Sequence, residues 1–237
     1  MKTFRSTNGP FVERPYYKEQ EIEDICIAEL KGVDLYPTTP SPIRIDRFVE
    51  KRFHVTPIYE DLGAGVLGLT TFDSKGVHAI MVSRFLDEEG TGSAERRIRT
   101  TLAHEAGHGL LHEYLFLSAT QTAASLFADF SDPESPKVLC RDIPYASSVR
   151  RRGYDGRWWE YQANRAIGAL LLPRPLVESA LDALIEPNGL LGGRMLVPNR
   201  REEGARILAG IFDVNLVVAR IRLEELFPAG SEGQLGL

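Results

Sequence analysis

Three of the five histidines in this 237-residue chain stand at four-residue intervals in T-L-A-H-E-A-G-H-G-L-L-H, Thr101 to His112, with a glutamate directly after the first. On a helix His104 and His108 project from one face about one turn apart, the spacing that two imidazole ligands of one zinc ion require. Glu105 is placed to take the proton from a water that the metal activates without binding the metal itself, the work of a general base in an H-E-x-x-H hydrolase. His112 fails the same geometric test. Eight residues of helix rise about 12 Å, whereas the ligands of one tetrahedral ion converge within about 2 Å of it. The spacing therefore predicts a packed or hydrogen-bonded histidine at 112 and not a ligand.

A third ligand has to come from another element. W-W-E-Y-Q-A-N-R-A-I-G-A-L-L-L-P, ending at Pro173, has an inward apolar stripe of Ala163, Ile167, Leu170 and Leu171 with one carboxylate beside it, Glu160. A charge there is costly unless paired or bound to metal. Two histidines and a glutamate leave a fourth position open, as a catalytic zinc requires. Asn164, one turn after Glu160, is the candidate for orienting a ligand from behind. Spacing does not separate zinc from manganese or iron in such a set, but the H-E-x-x-H helix favours one catalytic Zn2+.

With these residues the chain resembles the ImmA/IrrE-type metallopeptidases. The resemblance rests on the two strings above, in that order, and on D-L-G-A-G-V-L-G (Asp61 to Gly68) with the strand pair after it, over about residues 40 to 180. It implies an α+β, zincin-like metallopeptidase fold with a small, antiparallel-rich sheet beside the H-E-x-x-H helix. Carried over by position, it makes His104 and His108 the paired ligands, Glu105 the catalytic carboxyl and Glu160 the third ligand. It also implies a zinc-dependent endopeptidase whose substrate is a regulatory protein, a helix-turn-helix transcriptional repressor acting in stress response or mobile-element control. The chain departs from the family in a long gap between His108 and Glu160 and in Ala166, where members often carry Phe. The rival expectation is a non-proteolytic regulator that binds a repressor or DNA and uses the metal only to hold its fold.

The elements that must position these residues follow from periodicity and punctuation. Met1 to Pro15 shows no period and predicts an extended arm; Tyr17 to Leu30 predicts an amphipathic helix stopped by Gly32. Ser41 as cap and Pro42 at the first helical position predict a helix to about Phe53. Two strands joined at D-S-K-G (Asp73 to Gly76) predict a small antiparallel sheet. The histidine helix should run from about Ala94 to Phe116, with a short helix from Ala119 to Phe130 after it. Ser131 to Arg157 then predicts a loop inserted near the site. Beyond Pro173, Pro175 opens a helix expected to reach Ile185, a glycine-rich loop covers Asn188 to Gly193, and two helices follow, each opened by an asparagine. Asn199 with Glu202 fits a capping box. This divides the chain into an arm and helix (1–36), a metallopeptidase-like domain (37–185) and a C-terminal helical region (186–237).

Composition bounds the rest. The chain is 43% hydrophobic and 26% charged, with a net charge of -5, values of an ordinary globular protein with no general demand for a nucleic-acid partner. The longest apolar stretch, Ala166 to Leu172, is far short of the roughly 20 residues a bilayer needs, and two cysteines, Cys26 and Cys140, are no disulfide framework, so a cytoplasmic protein without a membrane partner is expected. G-A-G-V-L-G (Gly63 to Gly68) matches a dinucleotide string but continues into strand residues, so no nucleotide is expected. A glycine-bearing strand edge at Gly65 would instead admit a substrate peptide by strand addition. Arg150 to Arg152 predicts a solvated loop, and the C-terminal helix pair a structural hairpin, since Glu224 and Glu225 oppose the phosphate contacts Arg220 and Arg222 would make. Tyr145, Tyr154, Arg157 and Tyr161 are candidate oxyanion donors.

Overall fold

A computed structural model describes residues 2–5, 13–119, 137–141, 157–188 and 193–228. The expected strand pair is β4 (Val66–Asp73) and β5 (Gly76–Ser83). At the turn the Asp73 carboxylate accepts from the Lys75 N–H at 2.6 Å, and Gly76 takes a φ of 126° that favours glycine. β3 (Ile58–Glu60) lies beyond β5 and β6 (Lys137–Arg141) beyond β4, giving the order β3-β5-β4-β6. β4 is antiparallel to both neighbours and β3 runs parallel to β5, so the sheet is antiparallel-rich, as expected, with one parallel pairing at the β3 edge.

β6 comes from the stretch expected to be a loop, and its register sets Cys140 opposite Gly68 and Leu139 opposite Leu69. This pairing bears on the strand-addition expectation only from Val66 onward, since Gly65 lies just before β4 and outside the register. β4 has no open edge beside the histidine helix, because the chain's own β6 takes up its ladder hydrogen bonds. Apart from Arg157, the rest of the expected loop, with Arg150–Arg152, Tyr145 and Tyr154, lies outside the described residues, as does the short helix expected over Ala119 to Phe130 beyond Ala119, which belongs to the histidine helix.

The helices are α1 (Glu19–Gly32), α2 (Ile45–Phe53), α3 (Arg84–Glu88), α4 (Gly92–Ala119), α5 (Trp158–Leu171), α6 (Arg174–Ala180), α7 (Arg201–Phe212) and α8 (Leu216–Leu226), so the fold is α+β. α4 packs on β4 and β5 with one side and on α5 with another, while α1 covers α5. Several boundaries differ from expectation for local reasons. The Ser41 hydroxyl donates to the Thr39 carbonyl at 3.2 Å instead of capping, and α2 starts only after Arg44. α6 stops at Ala180; a 3-10 turn covers Asp182–Leu184 and Ile185–Asn188 forms β7, paired with β8 (Gly193–Leu196), so the expected continuation to Ile185 is taken up by other structure. Asn199 falls in a short 3-10 turn and the Asn199–Glu202 box does not form; Glu202 accepts from Arg220 at 2.6 Å instead. The arm is extended and paired as a hairpin: β1 (Lys2–Arg5) pairs antiparallel with β2 (Glu13–Tyr16), and the Phe4 and Tyr16 rings meet edge-on at 6.3 Å.

One apolar core joins Ile22 and Leu30 of α1, Phe48 of α2, Leu102 and Leu111 of α4, Leu170 of α5 and Leu208 and Phe212 of α7. A polar node closes it. The Arg222 guanidinium, 5% exposed, pairs with the Glu23 carboxylate and donates to the Leu172 carbonyl at 3.0 Å, while Glu23 accepts from the Arg174 N–H at 2.6 Å. Both arginines of α8 are thus committed within the chain. No helix among the described residues is long and apolar enough to cross a membrane.

Candidate metal centre

The site forms where α4 and α5 cross at unusually close range. A Cβ on Gly107 would stand 2.8 Å from the Ala166 Cβ and 3.2 Å from the Ala163 Cα and carbonyl oxygen, so the crossing requires glycine on one helix and small residues on the other. That explains the small residue at 166. The approach carries Glu160 from α5 to the imidazoles of α4.

His104, His108 and Glu160 are all buried and offer ligand atoms within 4.8 Å of one another, a group that could hold a metal ion. The two Nε2 atoms are 3.0 Å apart, and Glu160 lies 3.2 Å from His104 Nε2 and 3.8 Å from His108 Nε2. Two donors about 2.05 Å from a tetrahedral ion are about 3.3 Å apart, so the spacing suits a small divalent cation. Burial and the neighbouring imidazoles push His108 well below the usual histidine range, keeping it in the neutral form a metal requires. Asn164 is where it was expected, its Oδ1 3.1 Å from His104 Nδ1, on the side of the ring away from the cluster.

Glu105 is fully buried. The Thr70 hydroxyl donates to its Oε2 at 2.6 Å, while its Oε1 has no hydrogen-bond partner among the described residues. Burial is the main force pushing its pKa up to about 7; His104 and the Thr70 hydrogen bond pull against it. Gly68, two residues before Thr70 on the same face of β4, makes room for that carboxyl, since a Cβ there would lie 2.5 Å from Glu105 Oε1 and 2.6 Å from Thr101 Cγ2. The last glycine of G-A-G-V-L-G therefore serves close packing, and the string leads into β4 rather than a helix.

His112 is fully buried one turn beyond His108 and is not in the ligand group. Its Nδ1 lies 3.0 Å from His108 Nδ1, its Nε2 lies 3.0 Å from Gln162 Oε1, and Gln162 Nε2 donates to the Pro15 carbonyl at 2.8 Å. Burial pushes the His112 pKa down to about 4. Thr70, Gly68, Gln162 and Pro15 were not foreseen, although Gln162 was legible as the only uncharged polar residue of α5 besides Asn164 and Tyr161. Of the candidate oxyanion donors, Tyr161 is exposed, donating to Glu19 and accepting from Arg165, and Arg157 is exposed at the start of α5.

Compared with protein-family models and with curated proteins, the chain matches none.

Proposed function

We propose that the protein is a zinc-dependent endopeptidase of the ImmA/IrrE type, with His104, His108 and Glu160 as zinc ligands and Glu105 as general base. The observation that carries this reading is the Glu105 carboxyl: buried, held by Thr70 at one oxygen, without a hydrogen-bond partner among the described residues at the other, and with its pKa pushed up to about 7 by burial. A metal that only held the fold together would have no use for such a group, and burying it costs stability. When bound, zinc supplies Lewis-acid chemistry, polarising a peptide carbonyl and acidifying water.

Ionised Glu105 takes the proton from the attacking water at Oε1 and, once protonated, passes it to the departing amine; a pKa near neutrality suits both roles. Thr70 fixes the carboxyl so that exchange occurs at one oxygen. Asn164 steadies His104 from behind its ring. The resemblance of the two metal-site strings supports a helix-turn-helix repressor in the cytoplasm as substrate, and the internal pairing of Arg220 and Arg222 favours a protein partner over DNA.

The test is Glu105→Gln. The substituted protein should retain about one zinc per chain and lose cleavage of any repressor that the wild type cuts, read as fragment masses. Retained cleavage, or a wild type that takes up no zinc, sinks the proposal.

A further inference from the structure

We infer that His112 and Gln162 are positioning residues that lock the tautomer of His108, keeping its Nε2 lone pair turned toward the metal cluster. The functional use of this lock rests on the zinc proposal above; the proton arrangement itself does not.

The direction of the relay is set at its far end. The Pro15 carbonyl can only accept, so the Gln162 amide nitrogen must face it at 2.8 Å, which turns Gln162 Oε1 toward His112. An amide oxygen also only accepts, so the His112 nitrogen 3.0 Å away, Nε2, carries hydrogen. A neutral imidazole with its hydrogen on Nε2 has its lone pair on Nδ1. That atom lies 3.0 Å from His108 Nδ1, which must then be the donor. His108 is left bare at Nε2, the atom that faces His104 Nε2 at 3.0 Å and Glu160 at 3.8 Å. Each group in the series has one consistent role, and all of it is buried, so no solvent competes for these hydrogen bonds. A histidine two turns beyond the first ligand cannot reach the ion. It acts through the second ligand, and it ties the cluster to β2 of the N-terminal hairpin.

The experiment uses the full chain with 15N-labelled histidine, without metal, together with zinc affinities from chelator competition for wild type, His112→Phe, His112→Asn and Gln162→Leu. Long-range 1H–15N spectra of the metal-free wild type should show His112 protonated at Nε2 and His108 at Nδ1. Zinc affinity should fall about 10- to 100-fold in His112→Phe, as for loss of other groups that orient metal ligands. His112→Asn should recover it to within about threefold, because its Oδ1 can accept the same hydrogen in place of Nδ1. Gln162→Leu, which frees His112 to exchange tautomers, should lose less than His112→Phe. His108 protonated at Nε2, or His112→Phe binding zinc like the wild type, overturns the inference. Should His112→Phe fail to fold, the wild-type spectrum and Gln162→Leu decide it. A wild type that binds no zinc but shows these tautomers removes the zinc proposal and leaves the relay; zinc binding with the tautomers reversed does the opposite.

Discussion

Adding one methyl group at Gly107 separates the helix crossing from everything else that builds the site. The new Cβ of Gly107→Ala would lie 2.8 Å from the Ala166 Cβ and 3.2 Å from the Ala163 backbone. Carbon atoms pack at about 3.5–4.0 Å, so α4 and α5 must part by about 1 Å. Two opposed effects act on stability: alanine in a helix interior gains about 1 kcal/mol over glycine, and overpacking a filled core costs about 1–3 kcal/mol. The net loss should not exceed about 2 kcal/mol. The proposed zinc site would be far less tolerant. Glu160 rides on α5 and both histidines on α4, and ligand distances must hold to about 0.2 Å, so a parting of about 1 Å takes the carboxylate off the ion. Zinc affinity should therefore fall at least about 10-fold, approaching that of Glu160→Ala, while urea unfolding of the metal-free protein changes modestly. Chelator competition and urea titration on the same sample give both quantities. A Gly107→Ala protein that is more stable than wild type and binds zinc equally well would refute the close-crossing argument.

Further outcomes follow from the same structure. In the metal-free protein Glu105 has its pKa raised from 4.5 to about 7, so the stability that its neutral form permits is full below pH 4.5 and is lost as pH rises through 7. Glu105→Gln should then unfold at higher urea than wild type above pH 7, by about 3 kcal/mol, with no gain below pH 4.5; an equal gain at both ends would contradict the buried carboxyl. Arg222→Met leaves Glu23 buried without its guanidinium and should cost about 3–5 kcal/mol by urea unfolding, whereas a neutral result would show that the node relaxes. Asp213 has its pKa lowered, chiefly by the hydrogen bond from Arg96 and by Arg99, so its contribution is present above pH 3.8 and is lost as pH falls through its lower folded pKa. Asp213→Asn should be less stable than wild type at pH 7, with the gap closing toward pH 2; a gap that stayed constant with pH would show that the carboxylate charge is not what stabilises the fold, since Asn tolerates the left-handed backbone at 213 as well as Asp does.

What could be read before the structure divides along physical lines. His104, His108 and Glu160 were legible because four-residue spacing is a property of one helix, and a lone carboxylate on an apolar stripe stands out without knowing its neighbours. The partners of those residues were not. Gly68 and Thr70 matter to Glu105 only because β4 lies under α4, and Gly107 matters only because α5 crosses there. Gln162 gains its role from a proline carbonyl 147 positions away. Local rules also lost to competition: Ser41 spends its hydroxyl on Thr39, and Glu202 is claimed by Arg220 rather than by Asn199. β6 was hidden because five residues without clear alternation become a strand only when β4 offers a ladder to pair with.

The bond between Arg222 and Glu23 spans 199 positions, which orders events during synthesis. All three ligand positions leave the ribosome before α8 does, and domains generally fold as units in the direction of translation. Until Arg222 emerges, Glu23 lacks its guanidinium and the carbonyl of Leu172, just past the helix that carries Glu160, lacks its donor. The nascent chain therefore carries His104, His108 and Glu160 before it carries Arg222, the partner of the buried Glu23.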